Sequence, residues 1–215
     1  MNPNNLDTSA FWDRCFSGIV YDYKALASGD WSNTLDRLRQ AKVRTVLDLG
    51  CGYGHWSIVM ARAGFAVTAL DISQVALDIL ARWSAEEGLA VETVRCSAPG
   101  VGALGRSFDA VICNSVLDHM TKADAAKALA GIGKVLVPGG LAYVSFDGPE
   151  EGDPGEYFLQ DDSTRRYVKG KYEGMLWRYY PDEEMKALLA DFTINDFSTR
   201  KNGKRDIWMV NEKPR

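Results

Sequence analysis

Val46-Leu47-Asp48-Leu49-Gly50-Cys51-Gly52-Tyr53-Gly54 sets an apolar run against three glycines at alternate positions. The run from Val43 to Leu49 reads as a buried strand, and a helical pattern follows to about Ala63, where Gly64 ends it. A strand that stops in such a turn before a helix opens a doubly wound sheet, and the turn then lies at the carboxyl edge, where ligands bind. Glycine suits the position because the backbone can turn tightly and approach a ligand with no Cβ in the way. The spacing is G-x-G-x-G. A dinucleotide fingerprint needs G-x-G-x-x-G, and the residue three beyond Gly52 is His55.

Outward from this turn, apolar runs alternate with helix-patterned stretches, as a parallel sheet with crossover helices requires. Ala66 to Leu70 is the second strand, Ser73 an N-cap, and the helix with stripe Val75, Ala76, Ile79 and Leu80 stops at Gly88. Val91 to Val94 and Phe108 to Cys113 are strands three and four, separated by the glycine-bearing loop Ser97 to Ser107. Thr121 and Asp124 open a helix to about Val135, and Pro138-Gly139-Gly140 turns into strand five, Leu141 to Phe146. Residues 147–180 show no clean period and read as an insertion. Pro181, followed by Asp182, Glu183 and Glu184, suits the first turn of a helix. Phe192 to Thr199 and Asp206 to Asn211 flank Asn202-Gly203, a hairpin signal. Residues 9–40 look like one or two helices. The expectation is an α/β fold: a doubly wound, mostly parallel seven-stranded sheet with a C-terminal antiparallel hairpin and helices on both faces. One domain, 1–215, is expected, divided into a helical cap (1–42), a cofactor-binding core (43–147), a substrate-covering insertion (148–180) and a last helix with hairpin (181–215).

Composition narrows the function. The 215 residues are 46% hydrophobic and 25% charged, enough for a large core and incompatible with disorder. No apolar run reaches the ~18 residues of a membrane span, and Met1 to Asp7 has neither the basic nor the apolar region of a leader, so a cytoplasmic protein is expected. Cys15, Cys51, Cys96 and Cys113 lie far apart, with only His55 and His119 to assist them, and no metal site is expected. A net charge of −4 argues against a nucleic-acid partner.

Asp71, at the end of strand two, can accept both hydroxyls of an adenosine ribose or be a helix-start carboxylate before Ser73. Asp48 can sit under a ligand's amino group or bind neighbouring backbone N–H groups. D-L-G-C-G-Y-G (48–54), V-T-A-L-D (67–71), F-D-A-V-I-C (108–113) and L-V-P-G-G-L (136–141) together resemble the class I S-adenosylmethionine-dependent methyltransferases, over residues 43–147. W-R-Y-Y (177–180) before an acidic helix is similar to the tellurite-resistance and thiopurine-type branches.

The resemblance implies that Gly50, Gly52 and Gly54 cradle the methionine and ribose of S-adenosylmethionine, with Asp71 on the ribose. Asp48, Trp56, Ile72, Ser97, Ala98 and Asn114 are the further cofactor candidates; where the family often has Gly-Asp, this chain has Cys96-Ser97-Ala98. Asn-Pro-Pro-Tyr is missing after strand four, which disfavours methylation of base amines or glutamine. His119 is the candidate base, or a helix-start histidine satisfied by backbone. His55 reads as structural or cofactor-lining. Tyr21, Tyr23, His119, Trp177, Arg178 and Tyr179 are the acceptor-side candidates, although Tyr167 to Tyr180 reads mostly as an edge hairpin with snorkelling cations. The expected partner is a small-molecule methyl acceptor with an O, N or S nucleophile, and a homodimer is compatible. The rivals are an RNA or protein methyltransferase using a basic tip of Lys201, Lys204 and Arg205, a dehydrogenase, and a cofactor-binding module without turnover.

Overall fold

The computed structural model describes residues 8–18, 22–149 and 155–212. Strands β1 (Thr45–Leu49), β2 (Ala66–Asp71), β3 (Val91–Arg95), β4 (Phe108–Cys113) and β5 (Leu136–Phe146) pair in parallel. The sheet is completed by β9 (Thr193–Thr199) and β10 (Arg205–Val210) in the order β3-β2-β1-β4-β5-β10-β9. β10 is antiparallel to both neighbours. The sheet is thus the doubly wound seven-stranded one read from the sequence. Its order reverses at β1 and β4, so the carboxyl ends of these two strands splay the loops that follow them and leave a crevice between.

Alternation along the strands feeds two cores. Val46, Val67, Ala110, Ile112, Tyr143 and Trp208 point to one face, covered by α2 (Ser32–Gln40), α3 (His55–Arg62) and α4 (Gln74–Glu86) through Leu38, Met60 and Leu80. Leu47, Leu49, Val111, Val144 and Met209 point to the other, covered by α5 (Lys122–Val135) and α6 (Asp182–Leu188) through Leu129, Ile132 and Met185. Caps set the helix starts. Ser73 Oγ accepts the Ala76 N–H at 3.2 Å, and Thr121 Oγ1 accepts the Asp124 N–H at 3.2 Å.

Three details differ from the sequence reading. Pro138-Gly139-Gly140 is no separate turn but a bulge within β5: Phe108 faces Leu136 whereas Ala110 faces Leu141. The Gly139 and Asn211 N–H groups hold the bulge against β10, donating to Asn211 O and Gly140 O. Pro181 is the N-cap of α6, outside its first turn, because its ψ of 149° is extended. Residues 155–177 are ordered by a second sheet, β6 (Tyr157–Leu159), β7 (Arg165–Tyr167) and β8 (Leu176–Trp177), all antiparallel. Its periodicity is hidden by strands of two or three residues packed on a mostly aromatic core: Tyr167, Met175 and Trp177 bury against Phe11 of α1 (Ser9–Ser17), and Arg165 lies between the Tyr157 and Trp177 rings.

Candidate functional site

A cavity of about 640 Å³ opens at the carboxyl ends of β1, β2 and β4, under α1. Its floor is the glycine turn. Gly50 and Cys51 donate their N–H groups to Leu70 O, and Gly52 N–H donates to Asp71 Oδ2 at 2.9 Å, which stitches the turn to the end of β2. Gly50 has φ +74°, and a Cβ there would stand 2.4 Å from Val116 Cγ2, so no other residue lets the turn meet the β4 loop. Gly54 serves a different purpose. It faces Leu80 of α4, 2.3 Å from where its Cβ would be, and does not line the cavity.

Carboxylates dominate the electrostatics. Asp71 accepts the Ser73 N–H on Oδ1 and the Gly52 N–H on Oδ2. Burial raises its pKa, opposed by these N–H groups and reinforced by Asp13. Asp48 accepts the Ser57 hydroxyl at 2.6 Å, and burial, with Asp71 adding to it, pushes its pKa up to about 7. Among the lining residues the charged side chains are Asp48, Asp71 and Asp124, with no lysine or arginine. Such a chamber favours a cationic ligand and opposes the pyrophosphate of a dinucleotide.

Two neutral imidazoles face the same space. Burial lowers the His55 pKa to about 4, with Lys204 adding to the effect, and leaves Nδ1 without a partner. Burial also lowers the His119 pKa. His119 Nδ1 lies 3.2 Å from Leu176 O; a carbonyl only accepts, so the ring proton is on Nδ1 and Nε2 is the basic nitrogen.

The structure brings most of the sequence candidates together. Asp48, Gly50, Gly52, Trp56 and Asp71 line the cavity on the β1 and β2 side. Ile72, Ser97, Ala98, Asn114 and His119 line it as well. Gly54 and four acceptor-side candidates do not. Tyr23 stacks on Tyr53 at 5.3 Å, outside the cavity, and Trp177 is in the aromatic core of the small sheet. Arg178 is 4% exposed and donates to both Glu184 oxygens, while Tyr179 packs under Arg205. Tyr21 lies outside the described residues. The supposed basic tip is also corrected. Side chains of Lys204 and Arg205 are 13% and 3% exposed and turned into the protein.

Sequence reasoning missed the roof. Thr8, Trp12 and Phe16 recur every four residues on one face of the N-terminal segment and line the cavity from above. Trp12 meets His119 edge-on at 4.9 Å, and Phe16 meets Tyr53 at 4.8 Å. The i, i+4 spacing was visible, but nothing local says which surface the stripe covers. Insertion residue Leu176 contributes both its side chain to the wall and the carbonyl that orients His119.

This sheet order, with its one reversed strand and acidic crevice behind a glycine turn, is the class I S-adenosylmethionine-dependent methyltransferase fold. Residues 46–140 match the family described as "Methyltransferase domain". Among curated relatives, the ubiquinone biosynthesis O-methyltransferase of Caulobacter vibrioides is 40% identical over 102 residues, 47% of this chain and 40% of that protein. That of Saccharophagus degradans is 30% identical over 53% of this chain and 48% of its own length, so the match spans less than half of either relative. Among solved structures, an S-adenosylmethionine-dependent methyltransferase from Clostridium acetobutylicum aligns with TM-score 0.68 at 15% identity, over 94% of this chain and 96% of that one. The Burkholderia thailandensis 1,6-didemethyltoxoflavin-N1-methyltransferase aligns with TM-score 0.64 at 22% identity, over 95% and 88%.

Proposed function

We propose that the chain binds S-adenosylmethionine in this cavity and transfers its methyl group to a small molecule, with a hydroxyl as the favoured nucleophile. The observation that carries the reading is the lining of the chamber: Asp48, Asp71 and Asp124, and no lysine or arginine among the lining residues, around a glycine turn. The cofactor is net cationic, and its sulfonium supplies an electrophilic methyl group. Asp71, already oriented by two N–H donors, has lone pairs left for the ribose hydroxyls. Asp48 is placed for the amino group, and Ile72, Ser97 and Ala98 form the wall for the base. Gly50 lets Val116 of the β4 loop close onto the turn, since a Cβ there would stand 2.4 Å from Val116 Cγ2.

On this reading the residues' work is alignment and exclusion of water, where orientation can contribute up to ~7–11 kcal/mol. Trp12, Phe16, Met120 and Leu176 make the outer wall apolar. His119 Nε2 accepts the proton of a hydroxyl or thiol as it attacks, while Leu176 O holds the other nitrogen. The names of the relatives, O-methyltransferases of ubiquinone biosynthesis, support an oxygen nucleophile. Burial of Lys204 and Arg205 weighs against a nucleic-acid acceptor. Among the described residues no helix is long and apolar enough to cross a membrane. We take the whole chain to act as one domain in the cytoplasm, the N-terminal helix and the insertion closing over the core.

Thermal denaturation with S-adenosylhomocysteine, S-adenosylmethionine and NAD tests the reading. The first two should stabilise by about 2.7 kcal/mol at a hundred times their dissociation constant, and NAD should not. An equal shift with NAD would refute it.

A further inference from the structure

Asn114 directly follows β4 on the cavity wall, and its partners all come from the β5 and β10 side of the sheet. Oδ1 accepts from Lys204 Nζ at 3.1 Å and from the Ser145 hydroxyl at 3.1 Å. Both contacts say which end of the amide is oxygen. An ammonium has only N–H to offer, so an amide nitrogen cannot face Lys204. Ser145 Oγ already accepts the Ser115 N–H at 2.8 Å, which sends its own proton to Asn114. The Tyr143 hydroxyl, whose proton goes to Asp206, adds only a 3.5 Å contact. With Oδ1 committed to this cluster, Nδ2 makes no hydrogen bond to another described residue, and Asn114 lines the cavity.

The cluster is built to stay as it is. Lys204 reaches in from the hairpin between β9 and β10, donates also to Ser115 Oγ, and lies 3.7 Å from Asp147 Oδ1. Ser115 holds a left-handed φ of 53°, unusual outside glycine, and is pinned there by its N–H to Ser145 and its hydroxyl to Asp147 at 3.0 Å. Asp71, Ile72, Ser97 and Ala98 stand on the β2 and β3 side, so Asn114 faces the opposite end of the chamber, nearer His55 and His119.

We propose that Asn114 reads the methyl acceptor: its amide donates to a carbonyl or carboxylate oxygen carried beside the nucleophilic atom, and Lys204 is the positioning residue that keeps the amide turned that way. This moves Asn114 from the cofactor to the acceptor and rests on the methyltransferase reading for the existence of an acceptor. A hydroxyl next to such an oxygen then reaches His119 Nε2 while the oxygen is held.

The probes are 1-(2-hydroxyphenyl)ethanone and its alkene isostere 2-isopropenylphenol, titrated by ligand-observed NMR into the chain with and without S-adenosylhomocysteine. The wild type should bind the ketone roughly tenfold more tightly, the ratio for one buried hydrogen bond. Asn114→Asp, whose carboxylate has no N–H, should bring the ratio near one; Lys204→Met should lower it and Lys204→Arg, again only a donor, should keep it. Affinity for S-adenosylhomocysteine should stay within about threefold throughout, since none of these groups is on the base or ribose side. A wild-type ratio near one, binding of neither probe, or an unchanged ratio in Asn114→Asp overturns the proposal, and the wild-type ratio decides even where a variant does not fold. Lost S-adenosylhomocysteine affinity in Asn114→Asp with the ratio intact returns the residue to the cofactor. Failure of the wild type to bind S-adenosylhomocysteine refutes the methyltransferase reading instead, because the probe ratio is also read without it.

Discussion

Asp13 on α1 accepts the hydroxyl proton of Ser73, the same side chain that caps α4 and whose backbone N–H is held by Asp71. The roof of the cavity is therefore latched to the residue beside the proposed ribose carboxylate. Arg14, one position on, donates to Glu173 O of the insertion, so α1 is tied on both sides.

Removing the latch should speed ligand escape more than it weakens the fold. Asp13→Ala is expected to raise the dissociation rate of S-adenosylhomocysteine roughly tenfold, the worth of one charge-assisted hydrogen bond. Ser73→Ala should do the same and in addition lose about 1 kcal/mol of stability with the N-cap. Stopped-flow fluorescence and urea denaturation separate the two; equal dissociation rates in Asp13→Ala and the parent would show that α1 is no lid.

Asp71→Ala should weaken cofactor binding by ~1.5–3 kcal/mol. Because its carboxylate also satisfies the Gly52 and Ser73 N–H groups, this variant should be less stable by about 1–3 kcal/mol as well. Calorimetric titration on the folded protein, beside a melting curve, reads both losses. Unaltered affinity would leave Asp71 a turn residue alone.

Asp48 gives the binding a pH dependence. With a pKa near 7 it is half protonated at neutrality, and a cationic ligand favours its ionised form. Affinity should therefore rise with pH up to about 7 and level off above, with a proton released on binding, detectable by titration in buffers of different ionisation heat. The unliganded protein should behave oppositely. Its folded-state Asp48 pKa lies above the unfolded value, so stability is greatest on the acid side of this transition and falls as pH rises towards 7; Asp71 and Asp118, also raised by burial, act in the same direction. Affinity that is flat between pH 5 and 8 would exclude Asp48 from the ligand.

Gly54→Ala should damage the fold and spare the site. Its φ of +85° costs an alanine about 1–2 kcal/mol, and the contact with Leu80 adds about 1–3 kcal/mol of overpacking. Leu80→Ala in the same chain should relieve part of the crowding, and the folded fraction should keep its cofactor affinity. A specific loss of affinity at full stability would put Gly54 back in the cofactor cradle.

His119→Gln should lower turnover of an identified acceptor by ~10²-fold or more and leave cofactor affinity unchanged. Because burial holds the imidazole below the ordinary histidine range, the acid limb of kcat/KM should lie below that range too. An acid limb at the ordinary value, or unaltered turnover in the variant, would remove His119 from the reaction.

Much of this could be read locally, and for a reason. Strand and helix periods, the Ser73 and Thr121 caps and the G-x-G-x-G turn are set by neighbours within a few residues, so β1 to β5, their helices and the carboxylates Asp48 and Asp71 were legible in one dimension. The hairpin at Asn202-Gly203 was legible for the same reason. What only the tertiary structure decided are the contacts that join distant segments. Trp12 reaches His119, and Asp13 reaches Ser73, across a gap that no period in residues 9–40 reveals. Gly54, part of one motif with Gly50 and Gly52, turns out to face α4 because successive left-handed residues point their missing side chains in different directions. Lys204, a surface cation by its Lys-Asn-Gly-Lys setting, is folded inward onto Asn114 because the antiparallel β10 returns the hairpin to the carboxyl ends of β4 and β5. An ammonium is placed there by sheet order, and sheet order is written in the packing of whole strands.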